Sequence, residues 1–287
     1  MQRTAPILRA ASALALLVAL AAPGAARGQG ALIFPKRLVF AGSARSAEVT
    51  LVNQGLQPVT YRIELVDRRM TAAGTLEEIE SPGPDDRSAR AWVHYSPRQV
   101  TISPASSQTV RFVVARPAGL APGEYRCHLL ARALPPPEST AGDVEALGQP
   151  NSLTVRLTTL AGVSIPIIVR QGPVQAAVSL SDLTLDPGDG ATPPALGFQI
   201  NRAGEASVYG ELAASFVPNH GGPEIPLAVL KGVAVYPPLP SLARRLPLAL
   251  APGRRLADGR LRLRFRSRPE DDGGAPEQVA DAEIVLP

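Results

Sequence analysis

The sequence predicts an all-β protein built from two consecutive sandwiches, and three observations carry that prediction. Thirty prolines and twenty-five glycines cut the 287 residues into short apolar runs, and no helical 3.6-residue period persists after the first thirty residues. Most of the runs alternate apolar with polar residues, the pattern of strands that bury one face. Seven or eight such runs are followed by a break at "QGPVQ" beyond Arg170, after which a second series of seven begins.

The opening residues set Arg3 and Arg9 before an apolar run from Ala10 to Ala22, with small residues at Gly24, Ala25 and Ala26 behind it. That is the layout of a secretory signal peptide, cut somewhere between Ala26 and Gly30, and the run falls short of the ~20 residues that a membrane-spanning helix needs. No later stretch approaches a span, so no membrane anchor is expected after cleavage. Losing Arg3 and Arg9 lowers the formal charge from +4 to +2, a balance that gives no support to nucleic-acid binding. A single cysteine, Cys127, in a chain bound for an oxidising compartment permits no internal disulfide.

The first series of strands reads Leu32 to Phe40, Ala47 to Asn53, Val59 to Val66, Ala91 to Tyr95, Val100 to Ile102, Thr109 to Val114 and Glu124 to Leu134. It closes with a run from Asn151 to Arg170, and the whole suits an immunoglobulin-like sandwich. The second series covers Ala176 to Ser181, Ala195 to Asn201, Ser207 to Ser215, Ile225 to Val235, Leu246 to Leu250, Leu261 to Arg266 and Val279 to Leu286. The expected division is therefore a signal peptide over 1–30, an N-terminal domain over 31–170 and a C-terminal sandwich over 171–287. Pro135 to Pro150 and Leu185 to Pro194 are polar and proline-rich and are expected to be mobile loops.

Chemistry is hard to find. His94, His128 and His220 stand far apart with no metal-ligand spacing. Cys127 and His128 are adjacent on one strand and so point to opposite faces, which makes Cys127 a buried small apolar residue rather than a nucleophile. "PEDDGG" (Pro269 to Gly274) lacks the oxygen spacing of a calcium loop and reads as a turn. No phosphate loop, dinucleotide fingerprint or nucleophile elbow is found. No catalytic residue, metal or cofactor is assigned, and a binding protein is expected rather than an enzyme.

Two features ask for a partner. In the run Asn151 to Arg170, Leu153, Val155, Leu157, Val163, Ile165, Ile167 and Val169 form an apolar row, with Thr154, Arg156 and Thr158 between the first of them. Its roughly 18 extended residues reach about 60 Å, far beyond a common strand of ~17–20 Å. Such an edge is either hidden within the fold or is the binding surface. The second feature is Arg37 in "FPKRLVFAG", which alternation sets on the face of Ile33 and Val39. A guanidinium there either extends its charge to the rim or holds an anion.

Taken together these segments resemble the periplasmic pilus-assembly chaperones of the PapD-like family. "KRLVFAG" resembles the family's first strand with its arginine, and "AEVTLVN" its second. "SPRQVTISPASSQTVRFVV" resembles its proline-led strand pair with Gln108 and Arg111, and "GEYRCHLLARALPPP" the next strand with Glu124, Arg132 and Pro135.

The resemblance implies two immunoglobulin-like β-sandwich domains in an L-shaped arrangement. It also implies an ATP-independent chaperone that folds and caps pilin-like subunits for an outer-membrane usher. The long strand would complete the subunit's sheet, with Val155, Leu157, Thr159, Ala161 and Val163 as the donated residues and Arg37 as anchor of the subunit's terminal carboxylate. A second cation is implied where Pro166 stands. Either another base such as Arg132 replaces it, or the client binds mainly by strand pairing. Glu124 and Arg170 match an interdomain ion pair, with Asp271 or Asp272 as a third member. The competing expectations are a secreted structural or adhesive sandwich protein and, more remotely, an enzyme acting through Asp271 and Asp272.

Overall fold

The computed structural model describes residues 31–135, 162–189, 192–250, 256–268, 272–274 and 277–287. The expected signal peptide, all but Pro135 of the loop expected from Pro135 to Pro150, and four of the five expected donor residues, Val155, Leu157, Thr159 and Ala161, lie outside them.

The described residues form four sheets. In the first sandwich, β1 (Ala31–Phe34), β3 (Ser46–Asn53), β8 (Ser107–Val114) and β6 (Val93–Ser96) form one sheet in that order. The facing sheet runs β2 (Leu38–Phe40), β10 (Gly162–Gln171), β9 (Gly123–Ala133), β4 (Val59–Met70) and β5 (Leu76–Ile79), and β7 (Gln99–Ile102) also pairs with β4. Alternation does the folding work: Val49 and Leu51 on β3 and Val110 and Phe112 on β8 point inward against Ile63, Leu129 and Ile167.

The second sandwich places β11 (Ala176–Asp186), β12 (Ala195–Gly204) and β15 (Ser241–Pro247) over β14 (Ile225–Val235), β13 (Val208–Pro218), β16 (Gly259–Ser267) and β17 (Val279–Leu286). Strand β16 shows the period-two rule in its plainest form. Leu261, Leu263 and Phe265 are fully buried, while Arg260, Arg262, Arg264 and Arg266 face outward and pair with Glu283, Asp281 and Glu277.

Several elements depart from the sequence reading. The expected strand Leu32 to Phe40 is two strands in different sheets, because the chain crosses the sandwich through Pro35, Lys36 and Arg37. Proline has no N–H to continue a ladder, so the break falls there. Arg37 accordingly lies between strands, and its expected alternation with Ile33 and Val39 does not apply. Strand β4 continues four residues past Val66 and turns back as β5, a hairpin that the polar sequence between Asp67 and Glu80 concealed. It reaches the second sandwich, where Met70 joins the second core and Arg244 donates to the carbonyls of Ala73 (3.1 Å) and Gly74 (3.3 Å). Gly74 has φ +77°, and a Cβ there would collide with the Arg244 guanidinium.

Strand β10 is buried on both faces at its C-terminal end. Ile165, Ile167 and Val169 enter the first core, and Ile168, pointing the other way, is fully buried in the second. Replacing Ile168 with Ala is expected to lower stability by about 2–5 kcal/mol. Val113→Ala, at a half-exposed site on β8, is expected to change it by under about 0.5 kcal/mol. Urea unfolding midpoints of the two variants check this.

Candidate functional site

The junction of the sandwiches is held by a buried ion cluster. Arg170, near the end of β10, donates from Nε to Glu124 Oε2 (3.1 Å), from Nη1 to the Asp272 carbonyl (3.0 Å) and from Nη2 to Asp272 Oδ1 (2.8 Å). Glu124 Oε2 also accepts from the backbone N–H (3.0 Å) and hydroxyl (3.0 Å) of Ser207 at the start of β13. All three ionised residues are buried. Burial alone would depress the Arg170 pKa, but the Glu124 and Asp272 carboxylates outweigh it and hold it raised.

Arg37 meets the same carboxylate. Its Nη2 lies 3.1 Å from Asp272 Oδ1, and its guanidinium carbon sits 4.1 Å from the centre of the Tyr209 ring. The residue is only 5% exposed, yet Nε, Nη1 and Nη2 have no aligned hydrogen-bond acceptor among the described residues. The Asp272 contact is thus an ion pair by distance and not a hydrogen bond by direction. Buried donors without acceptors are uncommon and costly, which marks this guanidinium as built for something further.

Beside it, between the sandwiches, is a cavity of about 590 Å³. Lys36, Arg37, Lys231 and Arg268 line it together with one carboxylate, Glu211, and with Phe34 and Tyr209. Phe34 is 71% exposed and Leu32, on the same strand, 45%.

Two backbone edges open near this cavity. Among the described residues, strand β1 pairs only with β3. Strand β10 pairs with β9 along its length, but with β2 only from Ile167 to Val169, in parallel register. Leu38 stands beside Ile167, so continuing that register back by one residue sets Arg37 level with Pro166. From Pro166 back to Gly162 the edge of β10 has no strand beside it among the described residues. Val163, the one described member of the expected donor row, is half-buried there and packs on the first core.

The remaining expected residues fall into place as follows. Glu124 and Arg170 are in contact, and Asp272 rather than the undescribed Asp271 joins them in the structure. Arg132 is half-exposed and pairs with Glu64 at 3.8 Å, and it does not line the cavity. Cys127 is fully buried, and burial pushes its thiol pKa far up. Sequence reasoning missed Tyr209, Lys231 and Arg268, whose arrival beside Arg37 depends on how the sandwiches dock. It also missed a second contact of the junction. Arg126 lies 4.2 Å from the Tyr236 ring centre and donates to the Arg68 carbonyl (3.1 Å), and the His128 ring meets Tyr236 edge-on.

No family model matches the chain, nor does any curated protein sequence. Among solved structures it is similar to the Pseudomonas aeruginosa CupB2 chaperone, at 11% identity and a TM-score of 0.45, with 89% of this chain and 100% of that one covered. It is similar also to the E. coli chaperone DraB (10% identity, TM-score 0.43, 90% and 97% covered). A third is the CsuC–CsuE chaperone-tip adhesion subunit pre-assembly complex of Acinetobacter baumannii (10% identity, TM-score 0.42, 90% and 99% covered).

His128 supplies a pH dependence. Burial first, then the charges of Arg126 and Arg68, hold its pKa well below the ordinary 6.5. Above 6.5 the imidazole is neutral in both folded and unfolded chains. As the pH falls below 6.5, the unfolded chain takes up a proton that the folded chain refuses, so stability declines by up to about 1.4 kcal/mol per pH unit. Urea midpoints measured from pH 7.5 to 5 are expected to show this slope, and His128→Asn to flatten it.

Proposed function

We propose that the mature chain is an ATP-independent periplasmic chaperone that binds pilin-like subunits by strand addition and caps them for an outer-membrane usher. One observation carries the reading. The open edge of β10 begins at Pro166, level with Arg37, a buried guanidinium that faces a cationic cavity with its donors unmatched. A peptide strand laid along that edge forms main-chain hydrogen bonds with it. Its terminal carboxylate, arriving at the end of the ladder, meets Arg37.

The alternating sequence preceding Gly162 supports the same reading. Val155 and Leu157, with Thr159 and Ala161, would present one face to a subunit's groove, whereas Val163 packs on the first core. Each buried aliphatic side chain is worth about 1.5–3 kcal/mol before the costs of ordering. The exposed Leu32 and Phe34 on the neighbouring β1 edge extend the apolar surface available to a client. The N-terminal signal directs the chain to the compartment where such subunits are assembled.

Periplasmic co-expression with a pilin-like subunit tests this. Wild-type chaperone, purified by its own tag, is expected to bring down the subunit in a one-to-one soluble complex. Leu157→Asp is expected to abolish capture while leaving the far-ultraviolet circular dichroism unchanged. Undiminished recovery of the subunit with that variant rejects strand addition. Arg37→Ala is expected to weaken the complex by about 10- to 100-fold, the range for one charge-assisted hydrogen bond. Failure of every pilin-like subunit to be captured favours the secreted structural or adhesive alternative.

A further inference from the structure

Strand β10 carries proline at 166, so it offers no side-chain charge at the position level with Arg37, and its Arg170 is already engaged by Glu124 and Asp272. The geometry points to a carboxylate clamp that spans the two sandwiches, with Arg37 contributed by the first and Lys231, flanked by Arg268, by the second. This inference rests on the functional reading above and specifies how the client's terminal carboxylate is held.

Arg37 is buried with its donors unmatched, lines the cavity, and is held by Asp272 and the Tyr209 ring. In the lining of the same cavity, Lys231 is placed by a β-bulge. The register of β13 with β14 pairs Gly210 with Val233 and Glu211 with Lys231, which leaves Gly232 as the extra residue. Gly232 has φ +73°, a conformation that favours glycine. A bulge of this kind bends its strand and redirects the neighbouring side chain, and bulges recur beside binding sites for that reason.

The two candidate cations are only loosely held within the fold. Lys231 Nζ and Arg268 Nη2 lie 3.7 Å and 3.5 Å from the same Glu211 oxygen, and that oxygen makes no hydrogen bond. Both side chains are at least half-exposed. Turning either one toward an incoming carboxylate therefore breaks no hydrogen bond to Glu211. The described residues of the cavity lining include four cations and one carboxylate, a balance that favours an anion. A negatively charged chain end lying along β10 satisfies Arg37 directly and draws Lys231 from the lining of the same cavity.

The test uses the mature full-length chain and two fluorescent probes. One is an N-capped octapeptide of alternating threonine and valine with a free C-terminal carboxylate, and the other is its C-terminal amide. Binding is read by fluorescence anisotropy. The free acid is expected to bind the wild type about tenfold or more tightly than the amide. Lys231→Gln combined with Arg268→Gln is expected to bring that ratio below about threefold, and Lys231→Arg to keep it. A ratio that survives the double substitution overturns the clamp and leaves strand addition standing. Equal binding of acid and amide by the wild type has the same meaning. Binding of neither probe overturns both readings.

Discussion

The Asp272 carboxylate is the point on which the junction turns. One oxygen lies between the guanidiniums of Arg37 and Arg170, and all three groups are almost wholly withdrawn from water. Charges in such a setting persist only when paired, and removing one partner of a buried pair typically costs about 3–5 kcal/mol because the other is left stranded. Arg170 and Glu124 belong to the first sandwich, and Asp272 and Ser207 to the second. The need to satisfy these charges therefore ties the two sandwiches in one docking geometry. The same tie fixes the walls of the cavity, since Arg37 comes from one sandwich and Tyr209, Lys231 and Arg268 from the other.

Apolar packing reinforces the arrangement. Strand β10 sends Ile167 into one core and Ile168 into the next, so a shift of one sandwich against the other would pull a fully buried side chain out of its site. The β4–β5 hairpin and the Tyr236 contact with Arg126 and His128 add two further attachments. The strand thus changes character along its length. Its C-terminal half is a structural member buried on both faces, whereas the half from Gly162 to Pro166 has an open edge.

Much of this was legible in the sequence. Alternation located nearly every strand, since a strand with one buried face must repeat with period two. The pattern break after Arg170 marked where the second set of sheets begins, and Arg37 stood out as a cation embedded in an apolar run. The failures have physical reasons too. Apolar continuity across Pro35 hid a change of sheet, because alternation says which residues are buried and not which sheet they join. The β4–β5 hairpin escaped because its residues are charged, and its Met70 is buried only against another domain. That Pro166 comes level with Arg37 could not be read either, because it follows from the parallel pairing of β2 with β10.

By itself, then, the sequence determined the local facts: strand periodicity, the break between the two series of strands, and an arginine set within an apolar run. Those depend on neighbours along the chain, where spacing and side-chain chemistry suffice. Tertiary structure alone decided that Arg37 and Arg170 share Asp272, that Tyr209 lies against the Arg37 guanidinium, and that Lys231 is turned by its bulge into the same cavity. These contacts join residues about a hundred or more positions apart. Their geometry follows from the docking of two separately folded sandwiches, which no period within either sandwich encodes.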